Sequence, residues 1–313
     1  MRVAIIGGTG FVGSYIVDEL QKNGHQVSLL ARDGSESRVH RHDLHRVVVG
    51  DVSSADALQA LLEECDAVIY CVGILRESRH QGITFEALHY EGLAATVEAA
   101  TSAGVDRLLL MSANGVKIPG TQYQETKLRA EKAAFASGLE STVFRPSVIF
   151  GDPRGRMEFV SQLFRDMVAM PFPALGFFTG LSPAKGPVLM SPIHVRNVAR
   201  AFGKALEDSA TYGKVYELGG PEVLSWVQII RRIAAAAGRK KWILPFPLRI
   251  MKLAAWLLDW LPFFPVTGDQ LTMLAEGNVA DPEIVASLIG ESPIAFSVDN
   301  LRYINPATLT EKF

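Results

Sequence analysis

Two constellations in this 313-residue chain hold residue types capable of chemistry. The first is Gly7-Gly8-Thr9-Gly10-Phe11-Val12-Gly13, set directly after the apolar run Val3-Ala4-Ile5-Ile6. Glycines at this spacing let the chain turn sharply at Gly7, bring bare backbone to a pyrophosphate at Gly10, and seat a helix close to its sheet at Gly13. The amides that open such a helix have no partners of their own and bind phosphate oxygens. The second constellation is Tyr123 with Lys127, four apart and therefore on one side of a helix. An ammonium beside a phenol favours the phenolate and lowers its pKa. Tyr123 is then a proton donor or acceptor for carbonyl reduction, with Lys127 as its tuner. Ser112 ends the apolar run 108–111 and is the candidate to polarise a carbonyl, with a capping or cofactor-side role as its alternative.

These residues need a scaffold, and the first half of the chain supplies an alternating one. Strands are expected over 3–6, 27–30, 47–49, 67–71, 108–111 and 142–145, and helices over 11–22, 55–62, 85–102 and 123–136. Val12, Ile16 and Leu20 fall on one face of the first helix. The strands are Val, Ile and Leu runs without alternation, the pattern of a parallel sheet buried on both faces. The prediction is an α/β fold, a Rossmann doubly wound parallel sheet with helices on both faces. After Gly151 the character changes. Residues 170–192 are rich in Pro, Gly and Phe with no clear period, whereas 195–206 reads as a helix and 214–218 as one more strand. Residues 1–151 and 191–220 are assigned to the nucleotide-binding domain. Residues 152–190 and 221–313 are assigned to a smaller, mostly helical C-terminal lobe for substrate or partner.

Ligands of such sheets sit at the carboxyl ends of the strands. That rule places Asp51 and Val52 toward the adenine, and Cys71, Val72 and Gly73 on the ribose side. An acidic residue ending the second strand would hold a ribose 2′-OH and favour NAD. This chain has Ala31-Arg32 there, with Asp33 one step later. A guanidinium suits a 2′-phosphate, so NADP(H) is favoured over NAD(H). Arg38, His40, Arg41 and His42 follow in the same loop and read as a solvated face.

Together GGTGFVG, LLLMSA, YQETK, FRPSVIFG, PIHVRNVARA and YELGGPE resemble the extended and atypical short-chain dehydrogenase/reductases, the NAD-dependent epimerase/dehydratase-like group. Within it the chain is similar to the branch of the nucleotide-binding accessory subunit of respiratory complex I and its bacterial relatives. The resemblance implies that Gly7, Thr9, Gly10, Phe11, Val12 and Gly13 contact the cofactor pyrophosphate, and that Arg32 reads a 2′-phosphate. It makes Tyr123 and Lys127 the active-site pair, with Lys127 also on the nicotinamide ribose, and sets Pro146 in the segment flanking the nicotinamide. Two departures stand out. Only ten residues separate Ser112 from Tyr123, and Ala113 occupies a position where many extended members carry a catalytic hydroxyl. An incomplete catalytic set fits the accessory-subunit branch.

The remainder narrows the classes. A formal charge of -2 argues against a nucleic-acid surface. Cys65 and Cys71 are too few for a disulfide framework and lack partners at metal-ligand spacing, so no metal is expected. No signal peptide and no membrane-spanning run is legible, and a cytoplasmic location is expected. The segment 246–264 is apolar, with Ile250, Leu253, Trp256, Leu257, Leu258 and Trp260, and carries Arg249, Lys252 and Asp259 on one side. It reads as a short helix bracketed by prolines. Its expected use is a peripheral contact with the inner face of a membrane or a membrane complex, or else packing within the lobe. Phe172, Phe177 and Phe178 form a second apolar edge or a lid. His194 is read as structural. The function these features imply is an NADP(H)-dependent oxidoreductase on an apolar carbonyl or quinone-like substrate. The alternatives are a non-catalytic NADP(H)-binding accessory or sensor subunit and, more distantly, a sugar-nucleotide epimerase.

Overall fold

Six strands, β1 (Arg2–Ile6), β2 (Gln26–Ala31), β3 (Arg46–Val49), β4 (Ala67–Tyr70), β5 (Arg107–Met111) and β6 (Glu140–Pro146), pair in parallel. With the strand Val215–Leu218 on the β6 edge they form a seven-stranded sheet in the order Val215–Leu218, β6, β5, β4, β1, β2, β3. The computed structural model describes residues 1–39, 45–258 and 268–304, and for 254–258 the backbone alone. The fold is the expected Rossmann type, and the strand order reverses between β1 and β4. At that switch point two carboxyl ends lie side by side and leave a crevice for ligand.

The helices follow from local chemistry. α1 (Phe11–Lys22) buries Val12, Ile16, Val17 and Leu20 and begins at Gly10, which has no side chain to cap it. α2 (Ala55–Leu62) starts at Ser54, whose hydroxyl accepts from the Ala57 amide. The expected single helix over 85–102 is two pieces, a π-turn at Glu86–Glu91 followed by α3 (Gly92–Ala103). α4 (Gln122–Ala136) starts in a capping box. Thr121 accepts from the Gln124 amide while the Gln124 side chain accepts from the Thr121 amide.

The chain divides into two compact units. One comprises Met1–Pro146, Val195–Glu217 and Ser287–Gly290, and the other the described residues of Ser147–His194, Leu218–Ala286 and Glu291–Phe313. The first unit packs Ile6, Leu58, Leu61, Val68, Tyr70, Leu108 and Val143 into one side of its core. The second packs Phe150, Phe177, Trp226, Ile229, Ile233 and Phe296. Three expectations for the second unit are corrected. The aperiodic stretch holds a strand, Ala174–Phe178, which pairs in parallel with Ile243–Pro247. Phe246 therefore belongs to a strand rather than to the apolar helix, which spans Leu248–Leu258. Phe177 and Phe178 are buried rather than forming an edge, because their strand lies against the core of this unit; Phe172 alone of the three is exposed. His194 ends the short strand Ile193–His194 and meets Phe150 edge-on. His40, Arg41, His42, Asp259, Trp260 and the side chains of Trp256, Leu257 and Leu258 lie outside the described residues.

Candidate active site

The turn after β1 is built around atoms it cannot move. Gly7 has φ +96, and a Cβ there would meet the Cys71 carbonyl carbon at 2.9 Å. A Cβ on Gly13 would lie 2.1 Å from the Gly7 oxygen. The Gly10 amide donates to the Gly7 oxygen at 3.0 Å, which closes the turn. The side-chain-free start of α1 thus sits directly over the carboxyl ends of β1 and β4, its first amides uncapped by any side chain. A cradle of this shape, with donors at a helix start and no side chain over them, fits a dinucleotide pyrophosphate. Phe11 is half-buried, its ring edge-on to Tyr15 at 5.9 Å, and Val12 is buried. Arg32 is exposed immediately after β2.

The other expected cofactor positions contribute unequally. The Asp51 carboxylate accepts from the amide and hydroxyl of Ser53, a turn that leads into α2. The Val52 side chain is buried in the core. Cys71 is buried, its thiol donates to the Ile6 oxygen at 3.2 Å, and burial pushes its pKa up to about 12. Val52 and Cys71 offer a ligand little beyond backbone, while the Asp51 carboxylate is partly exposed. Val72 and Gly73 differ, because Lys127 reaches them. The Lys127 ammonium is buried and donates to the Val72 oxygen at 3.2 Å and the Met111 oxygen at 2.9 Å. A single side chain on α4 thereby ties the carboxyl ends of β4 and β5. A Cβ on Gly73 would touch the same nitrogen at 3.6 Å, so the Lys127 ammonium packs directly against this backbone. Burial lowers the Lys127 pKa to about 8, against the opposing pull of Cys71 and Glu131.

Ser112 follows Met111. Its amide donates to the Phe144 oxygen at 2.7 Å, while its buried hydroxyl has no hydrogen-bond partner among the described residues. A buried unpaired hydroxyl carries a desolvation cost that a ligand carbonyl would relieve. Pro146 is buried at the end of β6, and its oxygen accepts from the Asn114 amide.

Tyr123 is half-buried, and its ring stands edge-on to Phe85 at 5.6 Å and to His89 at 5.2 Å. Its pKa moves opposite to the expectation. Burial raises it to about 12. Burial alone accounts for the shift, and the phenol stays protonated.

His89 is a site residue that pattern reading missed. It lies buried in the π-turn, where its Nε2 accepts from the Ile74 amide at 3.3 Å and its Nδ1 is 3.2 Å from Thr126 Oγ1. An acceptor Nε2 assigns the proton to Nδ1, which then donates to Thr126. Burial foremost, and Lys127 second, hold the His89 pKa down to about 2. The neutral ring therefore bridges the loop after β4 to the helix bearing Tyr123. No periodicity or motif marks it, although a His three residues ahead of Gly92 on a buried face was a visible oddity.

The switch-point crevice and its cradle define a Rossmann-type dinucleotide-binding protein. The NAD(P)H-binding family profile matches residues 7–167, just over half of the chain. The chain belongs to this family. It is 27% identical over 299 residues to the mitochondrial NADH dehydrogenase [ubiquinone] 1 alpha subcomplex subunit 9 of Arabidopsis thaliana, covering 90% of this chain and 70% of that protein. It is 28% identical over 284 residues to the chloroplastic divinyl chlorophyllide a 8-vinyl-reductase of Oryza sativa subsp. indica, covering 85% and 66%. Among solved structures, gox2253 superposes with a TM-score of 0.77 at 23% identity over 99% of this chain and 98% of that one. MoeE5 in complex with UDP-glucuronic acid and NAD superposes with a TM-score of 0.73 at 18% identity over the full length of both.

Proposed function

We propose that the protein is an NADP(H)-dependent reductase of an apolar carbonyl or quinone-like substrate. The observation that carries this reading is the buried Lys127 ammonium spanning the carboxyl ends of β4 and β5, together with the Ser112 hydroxyl, next in sequence to Met111, that has no partner among the described residues. Gly7, Gly10, Gly13 and the first amides of α1 would hold the cofactor pyrophosphate, and Arg32 a 2′-phosphate. When bound, a nicotinamide cofactor supplies the hydride. Ser112 is suited to donate its hydroxyl to a substrate oxygen. Tyr123, held protonated by burial, is suited to give its phenolic proton to that oxygen as negative charge develops there. Carbonyl reduction starts from the protonated phenol, the form that burial maintains here. Lys127 fixes the strand ends and places a positive charge beneath the site. His89 orients the Tyr123 helix relative to the loop after β4.

The accessory-subunit reading has its own support. Ala113 stands where a catalytic hydroxyl is common, and the relatives include a protein named as an NADH dehydrogenase subunit. NADPH oxidation against a panel of quinones and apolar carbonyls separates the two. Tyr123→Phe should abolish turnover and leave NADPH affinity within about twofold. Tight NADPH binding with no turnover on any member of the panel would overturn the reductase reading in favour of the accessory one.

A further inference from the structure

The second unit carries a cationic, aromatic edge that the nucleotide site does not use. Trp242 is 79% exposed and Phe172 74%, extreme values for such rings in a folded unit. They are brought together by backbone pairing. The Ala174 amide donates to the Trp242 oxygen at 2.8 Å, the Lys241 ammonium donates to the Met170 oxygen, and the Arg239 guanidinium donates to the Ala169 oxygen. Segments 169–174 and 239–242 therefore run side by side. Leu244, half-exposed, continues the same edge into its strand, and Ile250 and Leu253 are exposed on the helix that follows.

Charge singles out one occupant for this edge. Across residues 239–252 there are five Lys or Arg and no Asp or Glu, in a chain whose formal charge is -2. Lys240 is exposed two residues before Trp242 in sequence, and Arg249 is exposed on the helix that follows the strand. A protein interface is poor in lysine around its apolar centre. Exposed Trp and Phe ringed by Lys and Arg are what a lipid headgroup layer takes, rings at the acyl boundary and cations at anionic headgroups. No helix among the described residues is long and apolar enough to cross a membrane, so the contact is peripheral. We infer that the edge formed by Met170, Phe172, Lys240, Trp242 and Leu244, with Arg249 beyond it, docks the protein onto an anionic lipid surface. It differs from the contact expected over 246–264, since the residues that carry it lie mostly upstream, and it does not depend on whether the nucleotide site turns over.

The test is co-sedimentation of the full chain with vesicles of a neutral phospholipid, alone or with about a third of an anionic one. Binding to the mixed vesicles and not to the neutral ones is expected, falling as salt is raised from about 0.1 M. A cation at an anionic surface is worth roughly fivefold in partition, and each Glu substitution reverses a charge. The double variant Lys240→Glu, Arg249→Glu should therefore lose at least about a hundredfold. Trp242→Ser with Phe172→Ser should lose binding with the cations intact. NADPH affinity and Tm, unchanged in each variant, establish that the fold is retained. Equal binding to neutral and anionic vesicles, no binding to either, or wild-type partition of either folded variant would overturn the inference.

Discussion

Replacing Gly13 with alanine tests the cradle directly. The added methyl would stand 2.1 Å from the Gly7 oxygen and 2.8 Å from the Gly8 Cα. Comfortable contact needs about 3.5 Å, so α1 must back away from the β1 turn by more than about 1 Å. Neither obstacle is a side chain that can rotate aside. Overpacking of this kind costs about 1–3 kcal/mol of stability. The effect on binding is larger in proportion, because amides displaced by that distance no longer reach phosphate oxygens. Losing two charge-assisted hydrogen bonds at about 1.5–3 kcal/mol each weakens NADPH by at least about a hundredfold. Titration calorimetry with NADPH, beside thermal melts, measures both. Gly82→Ala is the control. Gly82 also has a positive φ, +70, but open space around it, so about 1 kcal/mol of strain should appear in Tm with unchanged NADPH affinity. If Gly13→Ala binds NADPH like the wild type while folded, the cradle does not hold the pyrophosphate and the nucleotide assignment fails.

Arg32→Ala should weaken NADPH by about 10–100-fold with little change for NADH, the loss of a charged phosphate contact; equal weakening of both in paired titrations would remove the 2′-phosphate role. His89 supplies a pH signature. Its folded pKa lies below its unfolded value, so its contribution is fully present above about pH 6.5 and is lost as pH falls toward the folded value of about 2. The loss runs at about 1.4 kcal/mol per pH unit once the unfolded ring is charged. In urea melts at pH 7 and pH 5, His89→Gln should therefore lose about 2 kcal/mol less than the wild type between the two conditions. Parallel losses would mean that the ring is not held neutral.

Much of the nucleotide half was legible because local chemistry and tertiary demand agree there. The glycine spacing, the uncapped helix start and the Ser54 cap set the limits of α1 and α2 at 11–22 and 55–62. Lys127 was legible as a site candidate, but its partners were not foreseeable. Only the parallel register of β4 and β5 sets the Val72 and Met111 oxygens within reach of one ammonium. The direction of the Tyr123 pKa was misjudged because the burial of its phenol against Phe85 and His89 is set by tertiary packing, which residue spacing does not show. His89 was invisible because a π-turn breaks the helical period that pattern reading follows. The Ala174–Phe178 strand was hidden by its surroundings. Its partner contains Pro245 and Pro247, which cannot donate to a ladder and read as breakers.

The contact between Gly7 and Cys71 links residues far apart in sequence. The phosphate pocket is consequently not a property of the first βαβ segment: its back wall is delivered by a strand that pairs only after two others have been threaded past. An amino-terminal fragment ending before residue 67 would keep the fingerprint intact on paper and still lack half of the pocket. Nucleotide retention by this protein is thus a reporter of completed long-range assembly, lost upon any opening that parts the two central strands.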